Sequence, residues 1–267
     1  MEIREKQALS KATRMTKYLE RISENEKHMA VFKCHQAQYK FTKDYVLGQT
    51  VLDAGCGNGY GAYYLSSLAV RIIGMDISAE AIKYAQAHHQ KENITYIRGN
   101  CESLPFHEHS FNIICSFEVI EHIPDYFSFL EEMKRILKPG GIAIISTPNK
   151  KVSLSSGKSS ANPYHSNEFS SEDLYNLLRP RFRDVTIYGQ KGSEKLKEVF
   201  QGNRFKRFLA KIDFLGVHRF LPERIYEKCA RIFGFALQKD ITEDDYFFVN
   251  SKIDTAEQLI AVCKKEK

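Results

Sequence analysis

No run of about 18 consecutive apolar residues occurs in this chain, so no segment is long and apolar enough to read as a membrane-spanning helix. The first residues, Met1-Glu2-Ile3-Arg4-Glu5-Lys6, are charged and lack the apolar stretch of a secretory leader. Close pairs of cysteines are missing as well. The six cysteines (Cys34, Cys56, Cys101, Cys115, Cys229 and Cys263) are scattered, which argues against a disulfide frame or a zinc site and for free thiols in a reducing compartment. These absences set the expectation of a cytoplasmic protein. There are no internal repeats, so a solenoid is excluded.

What is present is core-forming material in quantity: 267 residues, 43% of them hydrophobic, suit one large domain with additions. The net charge of +6 is uneven. Residues 191–239 carry twelve Lys/Arg against five Asp/Glu, so this stretch holds the whole basic excess. It reads either as a solvated helical face or as a surface for an anionic acceptor, such as a nucleotide-linked sugar, a phosphorylated glycan, nucleic acid or a lipid head group.

The most informative stretch is Val51-Leu52-Asp53-Ala54-Gly55-Cys56-Gly57-Asn58-Gly59. Val51 and Leu52 read as the end of a buried strand, and a helical pattern follows Gly59. Three glycines at alternate positions let the backbone turn sharply with a ligand against it, and a helix behind such a turn offers free N–H groups. A second strand, Val70–Met75, ends in Asp76, seventeen residues beyond Gly59, where a carboxylate can accept both hydroxyls of a ribose. Further strands are expected over Ile94–Arg98, which runs into Gly99-Asn100-Cys101-Glu102-Ser103-Leu104-Pro105-Phe106, over Phe111–Phe117, which runs into Glu118-Val119-Ile120-Glu121-His122, and over Gly141–Ser146, ahead of Thr147-Pro148-Asn149. Helices are expected near Gly59–Ser67, Ala79–Gln90 with Ser78 as N-cap, and Tyr126–Leu137, the last stopped by Pro139-Gly140. Alternating strands and helices imply a parallel sheet with right-handed crossovers, with ligands at the carboxyl ends of its strands.

In this ordered set the chain resembles the class I S-adenosylmethionine (SAM) dependent methyltransferases, over roughly Gln49–Tyr188 and again at the last strand. The resemblance implies a Rossmann-like, doubly wound α/β fold with a seven-stranded sheet, N-terminal helices and a helical insertion before the last strand. The expected division is residues 1–48 as an N-terminal helical cap, 49–190 as the SAM-binding core, 191–255 as a basic insertion and 256–267 as the final core strand. Residues 1–47 read as helical, with Met15, Leu19 and Ile22, then Met29, Phe32 and Ala37, at near-helical spacing. Asp244–Val249 reads as an extra short strand.

The resemblance also places the cofactor. Asp53 supports the glycine turn and the amino end of SAM. Gly55, Gly57 and Gly59 let the backbone approach the methionine part, with Phe117 nearby. Asp76 takes the ribose diol, Ile77 lies against the adenine, and Asn100 with Cys101 meets the adenine edge. Related chains usually carry Asp at the position of Asn100; Asn still accepts through its carbonyl oxygen.

The acceptor side is less determined. If Glu118, Glu121 and His122 lie in one helical turn, positions i, i+3 and i+4 share a face, and two carboxylates with an imidazole suit Mg²⁺, Mn²⁺ or Zn²⁺. His165 would be a fourth ligand. The Glu-x-x-Glu-His run is similar to that of small-RNA 2′-O-methyltransferases and ubiquinone-pathway O-methyltransferases, which bind a metal beside the acceptor hydroxyls. Two other readings stay open: His122 or His165 as a metal-free general base, and a purely structural role. Thr147-Pro148-Asn149 and Asn162-Pro163-Tyr164-His165, with Glu168-Phe169 beyond, look like bacterial methyltransferases of polysaccharide and natural-product pathways. The first expectation is therefore O-methylation of a sugar or polyhydroxylated small molecule, the second an RNA 2′-hydroxyl, although no RNA-binding module is recognisable. A SAM-binding protein without transfer activity is the third.

Overall fold

The computed structural model describes residues 29–155, 166–196, 199 and 240–267. These divide into two compact units: 38–155, 166–191 and 248–267 in the first, and 29–37, 192–196, 199 and 240–247 in the second.

The elements follow from local sequence. Helix α1 spans Met29–Phe41 and the short α2 Lys43–Val46. Strand β1, Thr50–Ala54, is an apolar run buried nearly throughout, as expected of a strand covered on both faces. Then come α3, Tyr60–Leu65, β2, Arg71–Asp76, and α4, Ala79–His88. Ser78 caps α4, its hydroxyl accepting from the Ala81 amide at 3.2 Å. Strands β3, Ile94–Arg98, and β4, Phe111–Phe117, lead to α5, Tyr126–Ile136. The chain continues through β5, Leu137–Pro148, α6, Lys150–Ser155, α7, Ser171–Leu178, β6, Asp184–Gly192, β7, Tyr246–Val249, and β8, Gln258–Lys264. A capping box between Ser170 and Asp173 starts α7.

The sheet has eight strands in the order β3-β2-β1-β4-β5-β8-β6-β7. Pairs among β1 to β5 are parallel, and β8 runs antiparallel to both β5 and β6. Chain order therefore reverses between β1 and β4, the place where open α/β sheets bind ligands. One apolar cluster, with Phe111, Phe129, Leu130, Met133 and Ile136, packs on one face, and a second, with Val51, Leu65, Ile72 and Ile144, on the other. A fully buried Leu or Ile contributes about 1.5–3 kcal/mol, and these two layers hold the strand ends in place. In the second unit, Ala30, Leu196, Val199 and Ile241 form a small cluster with Tyr246 against it.

The doubly wound α/β expectation holds, with three corrections. The sheet has eight strands, because Tyr246–Val249 joins it as an edge strand. The expected helix Tyr126–Leu137 is present as Tyr126–Ile136, but the strand expected to start at Gly141 starts at Leu137. The Pro-Gly pair instead lies within β5, where Phe111 faces Leu137 but Ile113 faces Ile142, and Gly140 has φ +74°. A bulge absorbs the extra residues, which is a use of Gly that helix-stop rules do not distinguish. The residues Phe182–Tyr188, which alternate as a strand in the sequence, form a strand that starts later and runs further, Asp184–Gly192. The helical reading of 1–28, and that of the insertion over 200–239, lie outside the described residues.

Candidate cofactor and acceptor site

The turn after β1 is built from left-handed backbone: φ is +83° at Gly55, +54° at Gly57 and +86° at Gly59. Residues with a Cβ rarely adopt these values. At Gly55 space forbids a side chain as well, since a Cβ there would lie 2.3 Å from a Val119 methyl. The amides of Gly55 and Cys56 donate to the Met75 carbonyl at 2.8 and 3.0 Å, tying the turn to the end of β2. The Gly57 amide donates to Asp76 Oδ2 at 2.9 Å and the Ser78 amide to Oδ1 at 2.8 Å. Asp76 thus bridges the glycine turn and the start of α4. Burial raises its carboxyl, and these two amides oppose the rise.

Asp53, 0% exposed, stands at the end of β1. Both its oxygens lie 3.2 Å from the Tyr39 hydroxyl of α1, which donates to them. Burial pushes the carboxyl up to about 7; the Tyr39 hydrogen bond resists this, while the charge of Asp76 adds to it. The ring of Phe117, at the end of β4, meets Tyr39 edge-on at 4.8 Å.

On the expected adenine side, the Arg98 guanidinium donates to the Ile77 carbonyl at 3.0 Å. Asn100 closes a tight local turn: its Oδ1 accepts from the Glu102 amide at 3.0 Å and its Nδ2 donates to Glu102 Oε2 at 3.3 Å. The expected acceptor oxygen therefore already carries one internal bond, with a second lone pair left. Cys101 is buried and its thiol is pushed up by that burial. Leu104-Pro105-Phe106 is pinned from α5, where Glu132 accepts from the Leu104 amide at 2.8 Å and Arg135 donates to the carbonyls of Phe106 and Leu104 at 2.8 and 3.0 Å.

The expected metal triad does not assemble, and the reason is backbone. Glu118 has φ +56°, and only Ile120–His122 forms a 3₁₀ turn. The shared face that an α-helical turn would give Glu118, Glu121 and His122 is therefore absent. Glu118 Oε1 instead accepts from Ser146 Oγ at 2.7 Å and from Gln38 Nε2 at 3.4 Å. Gln38 also donates to Gln190 Oε1 at 3.0 Å. Glu121, 1% exposed, stays beside His122, with 3.9 Å between Oε1 and Nε2. Burial pushes the Glu121 carboxyl well up, and the nearby charge of Glu118 acts in the same direction. Among the described residues no group of three or more His, Cys, Asp or Glu is placed to hold a cation. His165 lies outside the described residues.

Sequence reasoning missed Tyr39, Gln38, Ser146 and Gln190. Periodicity marked α1 by its apolar residues, and nothing local says that two neighbouring residues of a helix reach carboxylates 14 and 80 residues away.

Comparison with known proteins fits this geometry. Residues 52–145 match the methyltransferase domain family. A protein of Mycolicibacterium smegmatis named a "probable S-adenosylmethionine-dependent methyltransferase" is 35% identical over 148 residues, 55% of this chain and 56% of that protein. A phthiotriol/phenolphthiotriol dimycocerosates methyltransferase of Mycobacterium leprae is 35% identical over 96 residues, 35% of this chain and 36% of that protein. The chain thus spans little more than half, or less, of the curated relatives it matches. In structure, a SAM-dependent methyltransferase of Thermotoga maritima superposes with a TM-score of 0.65 at 16% identity, covering 97% of this chain and 100% of the other. The chain has the mixed α/β Rossmann-like fold of that structure, and its residues 52–145 are similar to the methyltransferase domain family.

Proposed function

We propose that this protein is a SAM-dependent methyltransferase acting on a hydroxyl of a sugar, nucleotide-sugar or other polyhydroxylated molecule. The observation that carries the reading is the left-handed glycine turn at the sheet's reversal point, flanked by Asp53 and Asp76. Two carboxylates and a backbone without side chains suit a donor with an ammonium group, a sulfonium and a ribose diol. Asp53 takes the ammonium, Asp76 the diol, and Ile77, Asn100 and Cys101 enclose the base. When bound, the donor supplies a methyl group on a positively charged sulfur.

The remaining work falls to the chain. Holding the acceptor oxygen in line with the methyl can itself supply much of the rate. A neutral hydroxyl is a poor nucleophile, and a base that takes its proton typically contributes about 10²–10⁴-fold. His122 fills that role, with His165 the second candidate from the sequence. The acceptor oxygen would give its proton to the imidazole as its lone pair takes the methyl, the S–CH3 bond breaking with its electron pair left on the sulfur of a neutral thioether product. The polar group of Gln38, Glu118, Ser146 and Gln190 favours a hydrogen-bonding acceptor. No step here uses a metal, because Glu118 is turned to Ser146 rather than to His122.

The test is labelled-methyl transfer from SAM to sugar nucleotides, glycosides and an RNA oligonucleotide, with and without EDTA. Transfer to a sugar, unaffected by EDTA, supports the reading. Loss on chelation restores the metal. Transfer to RNA alone replaces the acceptor class, and donor binding without any transfer removes the enzymatic reading.

A further inference from the structure

Tyr39 touches the donor turn on several sides. Its hydroxyl lies 3.2 Å from each Asp53 oxygen. Its ring meets Phe117 edge-on at 4.8 Å and Tyr60 at 5.6 Å. It also fills the space above Gly61, where a Cβ would fall 1.9 Å from Cζ. A glycine inside a helix costs about 1 kcal/mol relative to alanine; α3 carries one where the phenol lies. The hydroxyl has one proton, so it donates to one Asp53 oxygen at a time and leaves lone pairs of the carboxylate for a ligand.

We propose that Tyr39 is a positioning residue of the donor site: its hydroxyl, 3.2 Å from both Asp53 oxygens, orients that carboxyl to receive the donor's ammonium group. This rests on the reading of Asp53 as the ammonium-binding carboxylate. The titratable groups near enough to Asp53 to interact with its charge are the phenols of Tyr39 on α1 and Tyr96 on β3, the thiols of Cys56 in the turn, Cys101 after β3 and Cys115 on β4, and Asp76 on β2, while the Ala62 amide of α3 hydrogen-bonds to it. Burial pushes every one of those phenols and thiols up, so they stay neutral near pH 7 and Asp76 is the other charge in the group. The Tyr39 hydrogen bond favours the charged form of Asp53 against burial. Removing the hydroxyl therefore raises the carboxyl's pKa. Donor affinity falls at pH values where Asp53 becomes protonated and returns where it ionises again.

The test is calorimetric titration of SAM into the wild type and Tyr39→Phe between pH 6 and 8.5. The ring that fills the space above Gly61 is kept, and a melting curve checks folding. The donor's own ammonium titrates alike in both, so the ratio of the two affinities is read. A hydrogen bond to a charged group that shifts Asp53 by about one pH unit makes the variant weaker by roughly tenfold at pH 6 and by less than about twofold at pH 8.5. In an Asp53→Asn background the same change has less than about twofold effect. A loss of equal size at every pH, a loss that persists in the Asp53→Asn background, or no loss at all, overturns the proposal. Absence of binding heat in the wild type would instead overturn the donor reading on which it rests.

Discussion

The two halves of the proposed site, donor and acceptor, are held by different means. The donor half is a backbone structure: three left-handed glycines, a carbonyl at the end of β2 that anchors the turn, and Asp76 bound to two amides within twenty residues of it. The acceptor half is a side-chain structure: Glu118, Ser146, Gln38 and Gln190 converge from the residue after β4, from β5, from α1 and from β6. A backbone site tolerates little change, because a Cβ at Gly55 or Gly59 strains a left-handed backbone and collides with a neighbouring side chain. A side-chain site can be rewritten one residue at a time without disturbing the sheet below. This is a physical reason for one fold to keep its donor while changing its acceptor.

Substitutions sharpen that contrast, and the largest effect belongs to the turn. Gly55→Ala combines a left-handed φ with a 2.3 Å contact to Val119. Strain of about 1–3 kcal/mol and overpacking of a similar size lower the melting temperature and weaken SAM binding by roughly 100-fold or more. An unchanged calorimetric affinity would break the claim that the turn's backbone makes the donor site. Next is His122→Ala, where methyl transfer falls by about 10²–10⁴-fold and SAM affinity moves less than about twofold. A parallel loss of donor affinity would mean that the halves are not separable at this residue. Asp76→Asn leaves one oxygen to accept, and SAM affinity drops by roughly tenfold while an acceptor's affinity, read by the same titration, is unchanged. The smallest effect is expected from reversing Arg204, Lys206, Arg207 and Lys211. Affinity for an anionic acceptor weakens a few-fold at low salt and hardly at all at about 0.3 M, where screening removes the difference. A loss that salt does not relieve would point to packing instead of charge.

The same division explains how much could be read in advance. The strand–turn–helix with Gly55, Gly57 and Gly59, the acid at Asp76 and the alternation of strands and helices are local, and each depends on a few consecutive residues. The Glu118-to-His122 run was legible as chemistry but not as geometry. Its metal-binding reading needed a helical turn, and the left-handed φ of a non-glycine residue at Glu118 has no sequence marker. Tyr39 and Gln38 were hidden for the opposite reason: their helix was visible, but their partners come from β1 and from the residue after β4. Pro139-Gly140 shows a third case, in which one dipeptide serves equally well as a helix stop and as a strand bulge, and the neighbouring strand decides between them.

The most direct measurement is isothermal titration of the purified protein with SAM and with its demethylated product. The account predicts one binding site per chain for both, with affinity lost in Gly55→Ala and kept in His122→Ala. No heat with either compound, in a protein whose melting curve shows it folded, would contradict it.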